Sequence, residues 1–195
     1  MVLIRAGQLV SQPWRNGGGR TREMLARPAG TDWKLRVSLA DIEEDGPFSS
    51  FPGVERWFAV VQGAGVLLRF SSGERPVCVG DAPLCFDGAT APGCSLVDGP
   101  TQDLNLMVRD GIGAMRQVQA NQLWRECFDE RGLFTVSAGQ WHEEPKDSGS
   151  NSRQDPGRRL EAYTLAWNLG GNPCRFVPDD PSACSWWLGY SGNTA

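Results

Sequence analysis

The chain holds a single histidine, His142, and that scarcity removes much of the usual catalytic menu. A histidine-rich metal centre cannot be built from one imidazole. A zinc site would have to rest on cysteines, and the six present (Cys78, Cys85, Cys94, Cys127, Cys174 and Cys184) include no CxxC pair. His142 itself, in "GQWHEEP", reads as a partly exposed residue at a strand end, since a general base needs a partner and a pocket. No apolar run approaches the ~18 residues needed to span a membrane. The opening "MVLIRAGQLV" is too short and wrongly flanked for a signal peptide. The cysteines then read as reduced thiols packed as small hydrophobes, and a cytoplasmic location is expected. Lysine and arginine form no block, and the formal charge is −4 with a pI near 5.1. That balance excludes a protein working mainly through a basic face on nucleic acid.

Helical periodicity is also scarce. Between Trp33 and Arg109 nearly every segment is a short strand broken by glycine or proline. "LRVSLA" alternates Leu35, Val37 and Leu39 against Arg36, Ser38 and Ala40, and "DLNLMVR" alternates Leu104, Leu106 and Val108 against Asp103, Asn105, Met107 and Arg109. "WFAVVQGAGVLLRF" reads as a hairpin around Gly63 and Gly65. Many short strands with frequent turns predict an all-β sandwich or barrel. Further on, "GIGAMRQVQANQLWREC" holds either a short helix or a strand leaving the first sheet. Residues 143–159 read as a mobile surface loop. "LEAYTLAWNLGG" reads as another strand pair, and "CSWWLGY" as a closing strand or buried plug. "VERWFAVVQGAG" and "LEAYTLAWNLGG" echo one another, a faint sign of a duplicated β unit in a chain of 195 residues.

Three stretches carry candidate chemistry. "PWRNGGGRTREM" sets Gly17, Gly18 and Gly19 between Asn16 and a run of polar side chains. Neither Walker nor dinucleotide-loop spacing is met, so a nucleotide loop is excluded. A turn remains, or a wall of an anion pocket, because glycines admit close backbone approach and their N–H groups can form a nest. "DGPFSSFPGVER" ends on Arg56 at the mouth of an apolar strand beside aromatic rings. That arginine is either solvated or placed to grip a planar carboxylate. In "GPTQDLNLMVR", Asp103, Asn105 and Met107 share a face that looks into a barrel or out to water.

Together, "PWRNGGGRTRE", "DWKLRVSLADIEEDGPFSSFPGVERWFAVVQGAG" and "GPTQDLNLMVR" resemble the signature segments of the HutD/Ves family, in order and spacing, from about Gln12 to Arg109. The usual lysine after the tryptophan is here Arg15, which keeps the charge and changes the donor geometry. The resemblance implies a bicupin, two small antiparallel β-barrels in one compact chain. Residues 1–112 would form the barrel with the main pocket, and residues 113–195 a second cupin-like barrel carrying the 143–159 loop. It also implies a cytoplasmic role in regulating histidine breakdown by sensing an intermediate such as urocanate or formiminoglutamate, with no established enzymatic activity. Ordinary metal cupins use histidines and a glutamate from barrel strands. The segments in the corresponding places here, "ERWFAVVQGAG" and "VGDAPLCFDGATAPGC", contain no histidine, so no metal and no other cofactor is expected.

On this reading a small carboxylate enters the amino-terminal barrel, with Arg56 and Arg36 as its cationic partners. Asn16 and the backbone of Gly17, Gly18 and Gly19 close over it. Thr21, Glu23, Ser38 and Asn105 supply polar contacts, and Trp14, Arg15, Phe51 and Met107 complete the wall. An alternative is a metal-independent isomerase or hydrolase in the same barrel, with Glu23 or Asp103 as general base and Arg56 as electrophilic clamp. A third is a protein-interaction subunit. Neither nucleic acid nor membrane is an expected partner, and a homodimer is left open.

Overall fold

The computed structural model describes residues 1–119, 122–144 and 157–193. The expected loop 143–159 therefore lies largely outside the described residues. The amino-terminal strands are β1 (Val2–Arg5), β2 (Gln12–Pro13), β3 (Gly19–Arg27), β4 (Leu35–Ile42), β5 (Gly46–Pro47), β6 (Glu55–Gln62), β7 (Val66–Phe70), β8 (Gly73–Val77), β9 (Leu84–Asp87), β10 (Gly93–Leu96) and β11 (Thr101–Val108). They are followed by β12 (Ile112–Gln117), β13 (Glu130–Thr135), β14 (Gly139–Glu143), β15 (Arg158–Leu160), β16 (Thr164–Trp167), β17 (Cys174–Pro178) and β18 (Ser185–Ser191). The only helical pieces among the described residues are two 3-10 turns, Ala6–Gln8 and Gly88–Thr90. The option of a short helix after Gly111 gives way to β12.

Each half is a pair of facing antiparallel sheets, the architecture of a cupin barrel. The amino-terminal half sets β2-β3-β4-β11-β6-β9 against β5-β10-β7-β8, and the carboxy-terminal half sets β1-β16-β13-β18-β12 against β15-β14-β17. One strand crosses over: β1 opens the chain yet pairs with β16, Val2 opposite Trp167 and Arg5 opposite Thr164.

Strand alternation decides which face does what. Leu35, Val37 and Leu39 of β4 join Leu104, Leu106 and Val108 of β11 in a core shared with Phe134, Leu165, Trp167, Trp186 and Leu188 of the other half. The two halves are thus fused back to back through one apolar layer. Burying a side chain of this size is worth about 1.5–3 kcal/mol, so the layer contributes heavily to holding the halves together. The opposite faces of β4 and β11 are left to line the interior of the amino-terminal barrel.

The expected hairpin at Gly63 and Gly65 does not form. β6 is hydrogen-bonded to β11 and β9, whereas β7 is bonded to β10 and β8. Phe58 and Val60 of β6 face Val66 and Leu68 of β7 across the inside of the sandwich, in one buried cluster. Two consecutive apolar strands bury more by facing each other than by lying side by side, and the glycines turn the corner between sheets. Gly63 at φ +96 and Gly65 at φ +105 sit where an added Cβ would lie 2.7 Å from the Pro100 carbonyl and 2.4 Å from the Val77 carbonyl. "LEAYTLAWNLGG" forms no strand pair either: only Leu160 belongs to β15, in the small sheet, and Thr164–Trp167 form β16 in the large one.

Candidate functional site

The interior of the amino-terminal barrel holds a cavity of ≈ 730 Å³. Its floor is built by register. Asn105 lies opposite Ser38, and Met107 lies opposite Arg36 on one side and Arg56 on the other. Five polar or soft side chains from three adjacent strands therefore share one face, and all five line the cavity. Ala40 continues that face. Ser38, Asn105 and Met107 are almost wholly buried, and Arg56 is 8% exposed.

Arg56 is the centre of the site. Its Nε donates to Asn105 Oδ1 at 2.8 Å. Its guanidinium carbon lies 4.4 Å from the centroid of the Phe48 ring, 5.5 Å from Phe86 and 5.9 Å from Phe58. Neither terminal nitrogen makes a hydrogen bond or ion pair among the described residues. Burial draws the Arg56 guanidinium down to about 10, which leaves it charged at neutral pH. Asn105 in turn donates through Nδ2 to Asp103 Oδ2. Asp103 is 1% exposed and does not line the cavity. Burial pushes its carboxyl up to about 7, opposed by the Arg56 charge and the Asn105 hydrogen bond. No direct ion pair joins Asp103 to Arg56; the amide of Asn105 stands between them.

The rim comes from β2, the following turn and β3. Trp14 Nε1 donates to Thr21 Oγ1 at 2.7 Å, which fixes the indole and occupies the hydroxyl. Asn16 Oδ1 accepts from the Gly18 N–H at 3.3 Å, which fixes the side chain against its own turn. Arg15 lies beside them, and Phe51 closes the facing side. Arg36 is engaged at the rim, where its Nε donates to Glu23 Oε2 at 2.8 Å and its Nη1 approaches Met107 Sδ at 3.8 Å.

Four expected residues lie outside this lining. Gly17, Gly18 and Gly19 close the β2–β3 turn and do not wall the cavity. The Trp14 N–H bonds to the Gly19 carbonyl at 2.9 Å, and the Gly18 carbonyl accepts from the N–H groups of Glu43 at 2.9 Å and Glu44 at 3.2 Å. Gly17 has φ +79, and a Cβ on Gly19 would lie 2.3 Å from the Asp41 carbonyl. Glu23 points to Arg36. Conversely, Gln12, Pro13, Pro47, Phe48 and Ser49 line the cavity without having been picked out in the sequence. Phe48 was visible there only as one of two phenylalanines between proline turns. His142 lies in β14, in the other half of the molecule.

Among the described residues no helix is long and apolar enough to cross a membrane, and no three His, Cys, Asp or Glu side chains gather in a way that could hold a metal ion.

Comparison with known proteins agrees with this architecture. A family model described as HutD matches residues 6–180. A Pseudomonas putida protein described as an uncharacterized 21.2 kDa protein in the hutC 3' region is 40% identical over 142 residues, 71% of this chain and 70% of that protein. Protein Ves of Citrobacter koseri is 32% identical over 130 residues, 66% of this chain and 68% of that one. Among solved structures, HutD from Pseudomonas fluorescens SBW25 has a TM-score of 0.77 at 27% identity, covering 98% of this chain and 99% of its own. A Bacillus subtilis oxalate decarboxylase variant shares the fold alone, with a TM-score of 0.61 at 9% identity over 100% of this chain and 78% of its own.

Proposed function

The chain belongs to the HutD family, and from that premise we propose that its amino-terminal cavity is a metal-independent site for a small carboxylic acid. The ligand is an intermediate of histidine degradation, urocanate or formiminoglutamate, and its occupancy modulates histidine utilisation in the cytoplasm. The observation that carries the reading is Arg56. It is a charged, nearly buried guanidinium whose two terminal nitrogens are unspent and turned to a cavity large enough for such an acid. A buried charge without a partner is costly, and an entering carboxylate offsets that cost with two charge-assisted hydrogen bonds. The aromatic rings around Arg56 hold the guanidinium against their π-faces. Ser38 on the floor, and Asn16 and Arg15 at the rim, offer further polar groups for the rest of the ligand. The link to histidine use is supported by the hut-region relative in Pseudomonas putida and by the family itself.

The test is thermal denaturation with urocanate, formiminoglutamate, histidine and glutamate in turn. A ligand at 100 times its Kd adds about 2.7 kcal/mol, several degrees for a chain of this size. Arg56→Ala is expected to erase that shift while keeping the ligand-free fold. A wild-type protein that none of the acids stabilises, or an Arg56→Ala protein that responds normally, refutes the reading.

One observation favours a second reading, an enzyme in the same cavity. Asp103 titrates near neutrality and sits one amide away from Arg56, as a proton reservoir would. Prolonged incubation of the same acids with product analysis decides it, with turnover abolished in Asp103→Asn as the expected signature.

A further inference from the structure

The two halves repeat one topology. In β4-β11-β6-β9 and in β12-β18-β13-β16 the strands correspond by chain order and by neighbour. The counterpart of β6 is therefore β13, not the β16 segment that echoes it in sequence. Both strands begin Glu-Arg: Glu55-Arg56 and Glu130-Arg131. Arg56 lies opposite Met107 and Arg131 opposite Gly189; two residues on, Phe58 lies opposite Asn105 and Leu133 opposite Trp187. Each glutamate accepts from an indole, Glu55 from Trp57 at 3.0 Å and Glu130 from Trp167 at 2.6 Å. Each guanidinium lies over an aromatic ring, Arg131 at 4.3 Å from the Trp124 centroid against 4.4 Å from Phe48 for Arg56.

We propose that Arg131 is a second copy of the Arg56 cradle, occupied by the chain's own carbonyl oxygens in the place where the first copy takes a ligand. Arg131 is 2% exposed. Its Nη1 donates to the carbonyls of Gly170 at 2.8 Å and Asn172 at 2.6 Å, and its Nη2 to that of Trp124 at 3.2 Å. Its Nη2 also approaches Cys174 Sγ at 3.5 Å, and among the described residues no carboxylate bonds to this cation. The differences between the copies follow the register. Trp187 stands where Asn105 stands and stacks on Trp124 at 5.1 Å. The amide that serves Nε in the first copy is thereby lost, and Arg131 Nε is buried without a partner. Gly189 stands where Met107 stands, and the Phe128 ring fills the vacated space, 2.3 Å from where a Cβ would be. A hollow of ≈ 410 Å³ beside Trp124 and Trp187 is not lined by Arg131. The second cradle is closed, its occupants are the Gly170 and Asn172 carbonyls with that of Trp124, and of the two cradles only the first is open.

The class of occupant rests on the reading of the Arg56 cavity, but the duplication does not. Full-length Arg131→Met, Arg131→Lys and Arg56→Met proteins separate the two, by melting without ligand and by titration with urocanate. Arg131→Met strands the Gly170 and Asn172 carbonyls, while that of Trp124 keeps the Cys174 N–H at 3.1 Å; it is expected to lower Tm by about 10 °C, whereas Arg56→Met, whose terminal nitrogens are unspent, shifts it by less than about 3 °C. Arg131→Lys, which keeps a donor for part of the set, falls between wild type and Arg131→Met, and it serves the titration if Arg131→Met does not fold. Urocanate is expected to bind wild type and Arg131→Lys at one molecule per chain, and not to bind Arg56→Met. An Arg131→Met protein as stable as wild type overturns the proposal. So does a second urocanate per chain that disappears in the Arg131 variants. If urocanate binds nothing, the cavity reading falls and the melting comparison still decides Arg131.

Discussion

Asp103→Asn should make the protein more stable at neutral pH and leave it unchanged in acid. Asp103 is buried against Asn105, outside the cavity lining, and burial pushes its carboxyl from 3.8 up to about 7. A carboxyl whose pKa is raised on folding holds its proton more tightly in the native state. The stability this confers is complete below about pH 4 and drains away as the pH climbs to about 7. Three pH units at about 1.36 kcal/mol each set a ceiling of roughly 4 kcal/mol on that loss. At 2–4 °C per kcal/mol for a chain of this length, the ceiling is about 8–16 °C in Tm. Asparagine keeps the shape and an acceptor oxygen for Asn105 but cannot ionise. The quantity to measure is the difference in Tm between variant and wild type from pH 4 to pH 8. The acids with lowered pKa, Asp45, Asp110, Asp179 and Asp180, are present in both proteins and cancel in that difference. It should start near zero, rise through pH 5–7 and level off. A flat difference, or a variant less stable at pH 8, would mean that Asp103 stays ionised throughout as the counter-ion of Arg56.

Two further substitutions test the site's construction. Gly19→Ala places a Cβ against the Asp41 carbonyl and the Trp14 ring, a backbone clash expected to cost about 1–3 kcal/mol in urea denaturation; a loss below about 0.5 kcal/mol would show that the β3–β4 contact yields freely. Phe48→Leu removes the ring nearest the Arg56 guanidinium while keeping an apolar cover. Losing a cation–π contact of about 0.5–2 kcal/mol should weaken carboxylate affinity about 3- to 30-fold, and unchanged affinity in titration calorimetry would deny the ring its part.

What could be read in the sequence was what period two controls. The alternations in β4 and β11 put Arg36 with Ser38 and Asn105 with Met107 on single faces, and those faces meet on the cavity floor. Each depends only on neighbours along one strand. The errors arose where a distant segment decides. Gly63 and Gly65 looked like a hairpin because the sequence does not show that β6 takes β11 and β9 as partners. The three glycines read as a thinned wall, yet they close a turn whose Gly18 carbonyl receives the N–H groups of Glu43 and Glu44. Nothing local in the sequence marks Arg131, because its meaning lies in standing opposite Gly189 and beside Trp187. Phe48 belongs to the site through the fold of its loop, which the sequence marked only as rigid.

The crossing of β1 into the far sheet sets an order on biosynthesis. Val2–Arg5 leaves the ribosome long before its partner Thr164–Trp167 is made. The amino-terminal sheets, whose strands all lie between Gln12 and Val108, have their pairing partners much earlier. Their outward layer of Leu35, Val37, Leu39, Leu104 and Leu106 stays uncovered until the second half arrives. For that interval the nascent chain carries a nearly complete first barrel, an apolar flank and a dangling strand. Such a state leaves apolar surface and an unpaired strand open to aggregation, and the late pairing of β1 with β16 closes that edge.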